Sequence, residues 1–247
     1  MRPIDQFSFK MRIALVGYGK MGQTIEKMAI ERGNSISKII DVSNADEITE
    51  INPDNTDVAI EFTSPASAYG NIMKLLEQKV SVVCGSTGWL DKRSEVNAYC
   101  IENDSTFFYA SNFSLGVNIF FKLNEYLARL MEGKGYEASV EDIHHIHKLD
   151  APSGTGITIA EGLINSNSDY IGWTEGKSNE ASELGIISKR EGEVPGTHSV
   201  VYQSAIDEIK ITHEAHNRKG FAMGAVMVAE WLKDKKGVLS MEDFLNL

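Results

Sequence analysis

The chain has 247 residues, 42% hydrophobic and 24% charged, which is ordinary for a globular protein and enough for one large or two small domains. No apolar run approaches the ~20 residues of a membrane span, and a net charge of -11 argues against general binding of nucleic acid or anionic membrane. Cys84 and Cys100 are the only cysteines, so at most a single bridge is possible, which fits a reducing cytoplasm.

In chain order, residues 1–10 lack a continuous apolar core and read as a short loose leader rather than a secretory signal, with Met11 able to serve as the start. Ile13-Ala-Leu-Val16 is a short apolar run that reads as a buried strand and leads straight into Gly17-Tyr-Gly-Lys-Met-Gly22. Thr24 to Glu31 carries Ile25, Met28 and Ala29 at helical spacing. Strands are predicted at Ile36 to Asp41, Asp57 to Glu61, Val80 to Cys84 and Thr106 to Ala110. Helices follow the third and fourth strands, running to about Gln78 and over roughly Asp91 to Glu102. Strict alternation of this kind implies a parallel, doubly wound sheet.

After Ser111-Asn-Phe113 the alternation stops. A helix from about Val117 to Met131 is followed by predicted strands at Tyr136 to His147, Leu184 to Arg190, Thr197 to Gln203 and Ile206 to His213, with one helix after Ser153. This reads as a smaller, mostly antiparallel α+β domain. Residues 164–183 are polar and read as a long loop. Phe221 to Lys235 is an amphipathic helix expected to return to the first domain. The resulting division is 11–112 with about 220–247, and 113–219.

The glycine loop lies between a predicted strand and a predicted helix, the context its pattern requires. Gly17 allows the tight turn, Gly19 lets backbone approach a pyrophosphate, and Gly22 permits close packing of helix on strand. Backbone N–H groups from Tyr18, Lys20 and Met21 would face the phosphates. Asp41 ends the next strand ~20 residues on, where a carboxylate accepts hydrogen bonds from ribose hydroxyls. A carboxylate there repels a 2′-phosphate, and the residue beside it is Val42 rather than a cation, so NADH is favoured over NADPH. Gly85, Ser86 and Thr87 follow the fourth strand, and Ala110, Ser111, Asn112 and Phe113 follow the fifth, at the strand ends where such sheets bind ligands.

The densest chemistry lies in Glu141-Asp-Ile-His-His-Ile-His-Lys-Leu-Asp-Ala-Pro-Ser-Gly-Thr155, which holds three of the six histidines and Lys148. Histidine is the side chain best matched to proton transfer near neutral pH. On a strand, His145 and His147 share one face and His144 takes the other, so the three cannot share a pocket unless the strand ends or bulges near His144. His147 reads as structural. Ser153 reads either as a simple helix cap or, with the N–H groups of Gly154 and Thr155 and with Lys148, as part of an anion site suited to a small carboxylate. Zinc ligation by His145 and His147 with His213 or His216 is disfavoured by the adjacent Lys148, and no metal is expected.

These residues resemble the bacterial 4-hydroxy-tetrahydrodipicolinate reductases (dihydrodipicolinate reductases). The stretch from Glu141 to Thr155 is close to the family signature Glu-x-x-His-His-x-x-Lys-x-Asp-x-Pro-Ser-Gly-Thr. Gly17-Tyr-Gly-Lys-Met-Gly22, Gly85-Ser-Thr-Gly88, Asn112-Phe-Ser-Leu-Gly-Val-Asn118 and the segment from His213 to Ala225 match in order. The resemblance implies a Rossmann-type domain plus a smaller α+β substrate and oligomerisation domain, and a homotetramer. It implies NAD(P)H-dependent reduction of 4-hydroxy-tetrahydrodipicolinate, a cyclic dicarboxylate, in lysine and diaminopimelate biosynthesis. By position, His144 would be the proton donor and Lys148 its partner acid, while His145, Gly154, Thr155 and Arg218 would bind substrate. The glycine loop, Asp41, Gly85 to Thr87 and Ala110 to Phe113 would bind the dinucleotide. The alternatives are another Rossmann dehydrogenase, such as a semialdehyde or amino-acid dehydrogenase, or a non-catalytic dinucleotide sensor.

Overall fold

The run Ile13-Ala-Leu-Val16 offers water no polar side chain, and it forms most of β1 (Arg12–Val16) at the middle of a parallel sheet covered on both faces. The structure is a computed structural model and describes residues 10–217 and 219–246. The expected leader lies outside these residues apart from Lys10, as does Arg218.

The described residues fall into two compact units, the first ending at Ser114 and resuming at Lys219. In the first, β1 is followed by α1 (Lys20–Glu31), β2 (Ser35–Ile40), a 3-10 segment (Val42–Glu50), β3 (Val58–Glu61), α2 (Pro65–Glu77) and β4 (Ser81–Cys84). A 3-10 turn (Leu90–Lys92), α3 (Arg93–Glu102) and β5 (Thr106–Tyr109) complete this run. The strands lie in the order β2-β1-β3-β4-β5, all parallel, so the order reverses between β1 and β3. One face of the sheet packs on α1, and the other on α2, α3 and the 3-10 segment, through separate apolar cores.

The second unit opens with α4 (Leu115–Met131), then β6 (Glu137–His144), α5 (Gly154–Ser166), β7 (Gly172–Glu175), β8 (Glu183–Arg190), β9 (Thr197–Gln203) and β10 (Glu208–Glu214). The sheet order is β10-β9-β6-β8-β7. The expectation of a mostly antiparallel sheet is corrected: β6 and β8 pair in parallel, as do β7 and β8, while β6–β9 and β9–β10 are antiparallel. The expected loop over 164–183 is also corrected, because α5 runs to Ser166 and β7 is a strand within it. Polar composition hid β7, which lies at the sheet edge where one flank meets water. The strand predicted through His147 ends at His144, and His145 to Lys148 form a turn closed by the Lys148 N–H donating to the His145 carbonyl at 3.1 Å.

Both α4 and α5 cover one face of this sheet, burying Phe120, Ile159 and Leu163 against Val140, Ile186 and Val200. On the opposite face Glu141 accepts from Lys189 at 3.1 Å and Lys210 at 2.7 Å. The chain then returns to the first unit as α6 (Lys219–Trp231), β11 (Gly237–Leu239) and α7 (Met241–Leu245). Strand β11 extends the parallel sheet beside β5, an addition too short to leave a periodic signal in the sequence. No helix among the described residues is long and apolar enough to cross a membrane.

Candidate active site

Open parallel sheets bind ligands at the carboxyl ends of strands where the strand order reverses. Here that point lies between β1 and β3, and a cavity of about 330 Å³ opens there, lined by Gly17, Tyr18, Gly19, Asp41, Val42, Phe62, Thr63 and Ser64, among others. Gly17 has φ of 98°, and a Cβ on it would sit 2.1 Å from the Phe62 carbonyl oxygen. A Cβ on Gly22 would lie 2.2 Å from the Gly17 carbonyl oxygen, so this glycine sets the approach of α1 to the turn. Gly19 differs: a Cβ there meets nothing within 4 Å, so the fold leaves that position open. These are the features of a cradle that fits a pyrophosphate, with the first N–H groups of α1, from Lys20 and Met21, beside it.

Asp41 caps the 3-10 segment, accepting from the Val42 N–H at 2.9 Å, and remains exposed at the cavity. Gly85 lies against the Phe62 ring, and the Ser86 hydroxyl accepts the Thr63 N–H at 2.7 Å. Thr87 is exposed. Of Ala110 to Phe113 only Ser111 is exposed, and Phe113 stacks at 5.6 Å from Phe62 and 5.9 Å from Phe108. Phe62 and Thr63 line the cavity but were missed by sequence reasoning. Their signal was position alone, directly after β3 at its carboxyl end. Glu61 beside them is fully buried and accepts from the Thr63 hydroxyl and from the Cys84 thiol at 3.2 Å. Burial, then the neighbouring Glu61 carboxylate, push the Cys84 thiol up, so it is no thiolate nucleophile of the kind a semialdehyde dehydrogenase needs.

In the second unit, the inward face of the sheet changes character between neighbouring rows. Ile186, Val140, Val200 and Ile211 form an apolar row across β8, β6, β9 and β10. The next row is Ser188, Asp142, His198 and His213. Asp142 is fully buried. Its Oδ1 accepts the Ser153 hydroxyl at 2.6 Å, and its Oδ2 accepts the Ser153 N–H at 2.9 Å. The same Oδ1 lies 3.0 Å from His144 Nδ1 and 3.2 Å from His198 Nε2, and Arg190 stands 3.6 Å from Oδ2. The His144 N–H is not in line with the oxygen, so in this structure the contact is electrostatic rather than an aligned hydrogen bond. Burial opposes the Asp142 charge, but the contacts with His144 and His198 and the two bonds from Ser153 outweigh it and hold the carboxyl well below the usual range.

His144 lies within this buried cluster, its ring 5.1 Å from that of His198. His145 is half-buried at the turn, its ring 6.2 Å from that of His147. The reading of His147 as structural is not supported by burial: its side chain is 72% exposed, 3.7 Å from Glu193. Lys148 bonds Asp150 at 2.7 Å. Ser153 caps α5, accepting the Gly156 N–H at 3.0 Å. Gly154 is exposed and Thr155 half-buried at the first helical positions, whose N–H groups have no carbonyl partners within the helix. Arg190 reaches from β8 to the carbonyls of Lys148 at 3.3 Å and, more closely, Asp150, pinning the loop between His144 and Ser153. Asp142, His198 and Arg190 were not singled out from the sequence. The first two sit at core phase on their strands, where a polar residue is itself a signal.

Among the described residues, Asp142, His144 and His198 have spacing that could hold a metal ion. Both carboxylate oxygens already accept from Ser153, and the Arg190 guanidinium opposes a second cation there. The residues therefore fit a hydrogen-bonded cluster better than a metal centre.

Comparison with known proteins identifies the family of the chain. The family descriptions "Dihydrodipicolinate reductase, N-terminus" and "Dihydrodipicolinate reductase, C-terminus" match residues 11–113 and 116–245. The 4-hydroxy-tetrahydrodipicolinate reductase of Christiangramia forsetii is 48% identical over 96% of this chain and 98% of its own length. That of Archaeoglobus fulgidus is 34% identical over 96% of this chain and 100% of its own. The solved dipicolinate-bound dihydrodipicolinate reductase from Paenisporosarcina sp. TG-14 superimposes with a TM-score of 0.77 at 20% identity, covering 96% of this chain and 100% of that one, a likeness of fold. With both of its halves matched and such relatives aligned along nearly its full length, the chain belongs to the 4-hydroxy-tetrahydrodipicolinate reductase family of oxidoreductases.

Proposed function

We propose that the chain reduces 4-hydroxy-tetrahydrodipicolinate to tetrahydrodipicolinate, with release of water, in lysine and diaminopimelate biosynthesis. The family assignment supports this, and the observation that carries it is local. A histidine beside a buried carboxylate adjoins a helix start with accessible N–H groups. This corner of the second unit would serve both proton delivery and anion binding.

When bound, a reduced nicotinamide dinucleotide supplies the hydride. The residues that would hold it are Gly17 to Gly22, Asp41, Gly85 to Thr87 and Ala110 to Phe113. NADH is the favoured form, because Asp41 and Val42 set a carboxylate and no cation at the ribose end of the cavity. The division of labour follows from this, with the dinucleotide on the first unit and the substrate on the second.

The substrate carboxylates would be taken by Lys148, His145 and the N–H groups of Gly154 and Thr155, with Arg218 a further candidate. Lys148 must exchange Asp150 for the substrate. A pair whose aspartate is 59% exposed is worth ~0–1 kcal/mol, so a dicarboxylate competes for it easily. After the ring has accepted hydride and lost water, His144 gives it a proton. Its Nδ1 faces Asp142, which leaves Nε2 to meet the substrate. A homotetramer in the cytoplasm completes the proposal. The free cysteines accord with the compartment. The sheet face opposite α4 and α5, and the exposed Ile119, Leu123, Tyr126 and Leu130 at helical spacing on α4, accord with assembly.

Steady-state kinetics of two variants test the residue roles. His144→Gln is expected to lower kcat by about 10²–10⁴ with little change in KM. Lys148→Ala is expected to lower kcat and raise KM. Native kinetics in both variants would refute the assignment.

A further inference from the structure

The reduction asks His144 to present a proton at one place relative to the anion cradle, yet His144 ends a strand and the cradle begins a helix ten residues later. One side chain touches both. We propose that Asp142 is a positioning residue of this site, its buried carboxylate fixing the His144 ring and the start of α5 in a single arrangement. This rests on the reductase reading given above.

Three observations carry it. The Asp142 carboxylate binds the helix start twice, through the Ser153 hydroxyl at 2.6 Å and the Ser153 N–H at 2.9 Å, while its Oδ1 lies 3.0 Å from His144 Nδ1. The helix start cannot move away from this carboxylate without losing both bonds. The approach is also close: a Cβ on Gly156 would lie 3.3 Å from Asp142 Cβ and Cγ, so the glycine lets α5 come down onto the side chain. Finally, the row one step along the sheet is apolar, and an apolar residue at 142 would extend that core. Burying a carboxylate instead is costly unless it is fully paired. The pairing here is supplied by Ser153, His144, His198 and Arg190.

The consequence for His144 is a choice of ring form. A carboxylate beside Nδ1 favours a proton on that nitrogen and turns Nε2 away from it. The groups around His144 are Asp142 on its own strand, Arg190 from β8 and His198 from β9, with His213 on β10 one strand further. Gly196 lies beside Nε2, where a Cβ would come to 3.1 Å, and the Glu191 N–H donates to the His144 carbonyl at 2.7 Å. Of these, Asp142 carries the negative charge that sits at the ring.

The test has two arms. Ring-nitrogen NMR of the native protein at neutral pH, with His144 assigned by comparison with His144→Gln, is expected to find Nδ1 protonated. An Nε2–H tautomer there overturns the proposal, and this arm needs no turnover, so it separates this failure from failure of the reductase reading. The second arm is kinetic. Asp142→Asn keeps the shape and, with one acceptor oxygen in place of two, can still accept one of the two bonds from Ser153. It is expected to lower kcat at least about tenfold and to leave NADH affinity within about twofold. In the His144→Gln background the same change is expected to cost little more, because both act through one ring. A folded Asp142→Asn enzyme with native kcat, or losses that multiply in the double variant, overturns the proposal. If Asp142→Asn does not fold, the native ring-nitrogen arm decides.

Discussion

Gly19 and Asp142 mark two ways in which single residues serve the candidate site. Asp142 is bound on every side, whereas Gly19 faces open space. The backbone at Gly19 has φ of -72°, which any residue can adopt, so nothing in the fold alone demands a glycine there. Gly19→Val is therefore expected to fold with a melting temperature within a few degrees of native. It would fill the cradle and weaken NADH at least about tenfold, read by fluorescence titration. Retained NADH affinity would move the pyrophosphate elsewhere. Much of this scale was legible in the sequence: the glycine loop, His144, Lys148 and Ser153 stand in recognisable order. His198 was not, because it lies far along the chain and meets Asp142 only through the pairing of β9 with β6.

At the scale of elements, the short apolar runs and their intervening helices identified the parallel sheet because both of its faces are covered. The second sheet was harder to read. Its β9–β10 pair is joined by a short connection, but β6 meets β8 in parallel and β9 in antiparallel across long stretches of chain, and no local pattern encodes those choices. The length of β6 depends on the turn at His145 and on the bond from Glu191 to the His144 carbonyl, both set by tertiary partners. The return of α6 is fixed by close approach. A Cβ on Gly224 would lie 1.8 Å from the Phe113 carbonyl oxygen, while Ala225, Val228 and Ala229 are buried in the core against α1. Gly224→Ala is expected to destabilise the first unit by about 1–3 kcal/mol through overpacking, seen as a lower denaturant midpoint at unchanged slope. An unchanged midpoint would mean that α6 is not held against residue 113.

For the molecule as a whole, the net charge of -11 means that two anionic ligands must be drawn by local groups rather than by the overall field. In the proposed reading the glycine cradle would do this in the first unit, and Lys148 with the start of α5 in the second. Neither is sufficient alone. A dinucleotide cradle is common to many dehydrogenases, and an anion site beside a histidine specifies no redox chemistry. Their joint presence in a chain of this family is what makes reduction of a cyclic dicarboxylate the central claim. The direct measurement is oxidation of reduced nicotinamide by the purified chain, followed by absorbance. 4-Hydroxy-tetrahydrodipicolinate is generated in place, and NADH and NADPH are compared at equal concentration. The expected result is substrate-dependent oxidation with both, a higher kcat/KM for NADH, and tetrahydrodipicolinate as product. No substrate-dependent oxidation of either nucleotide would contradict the account.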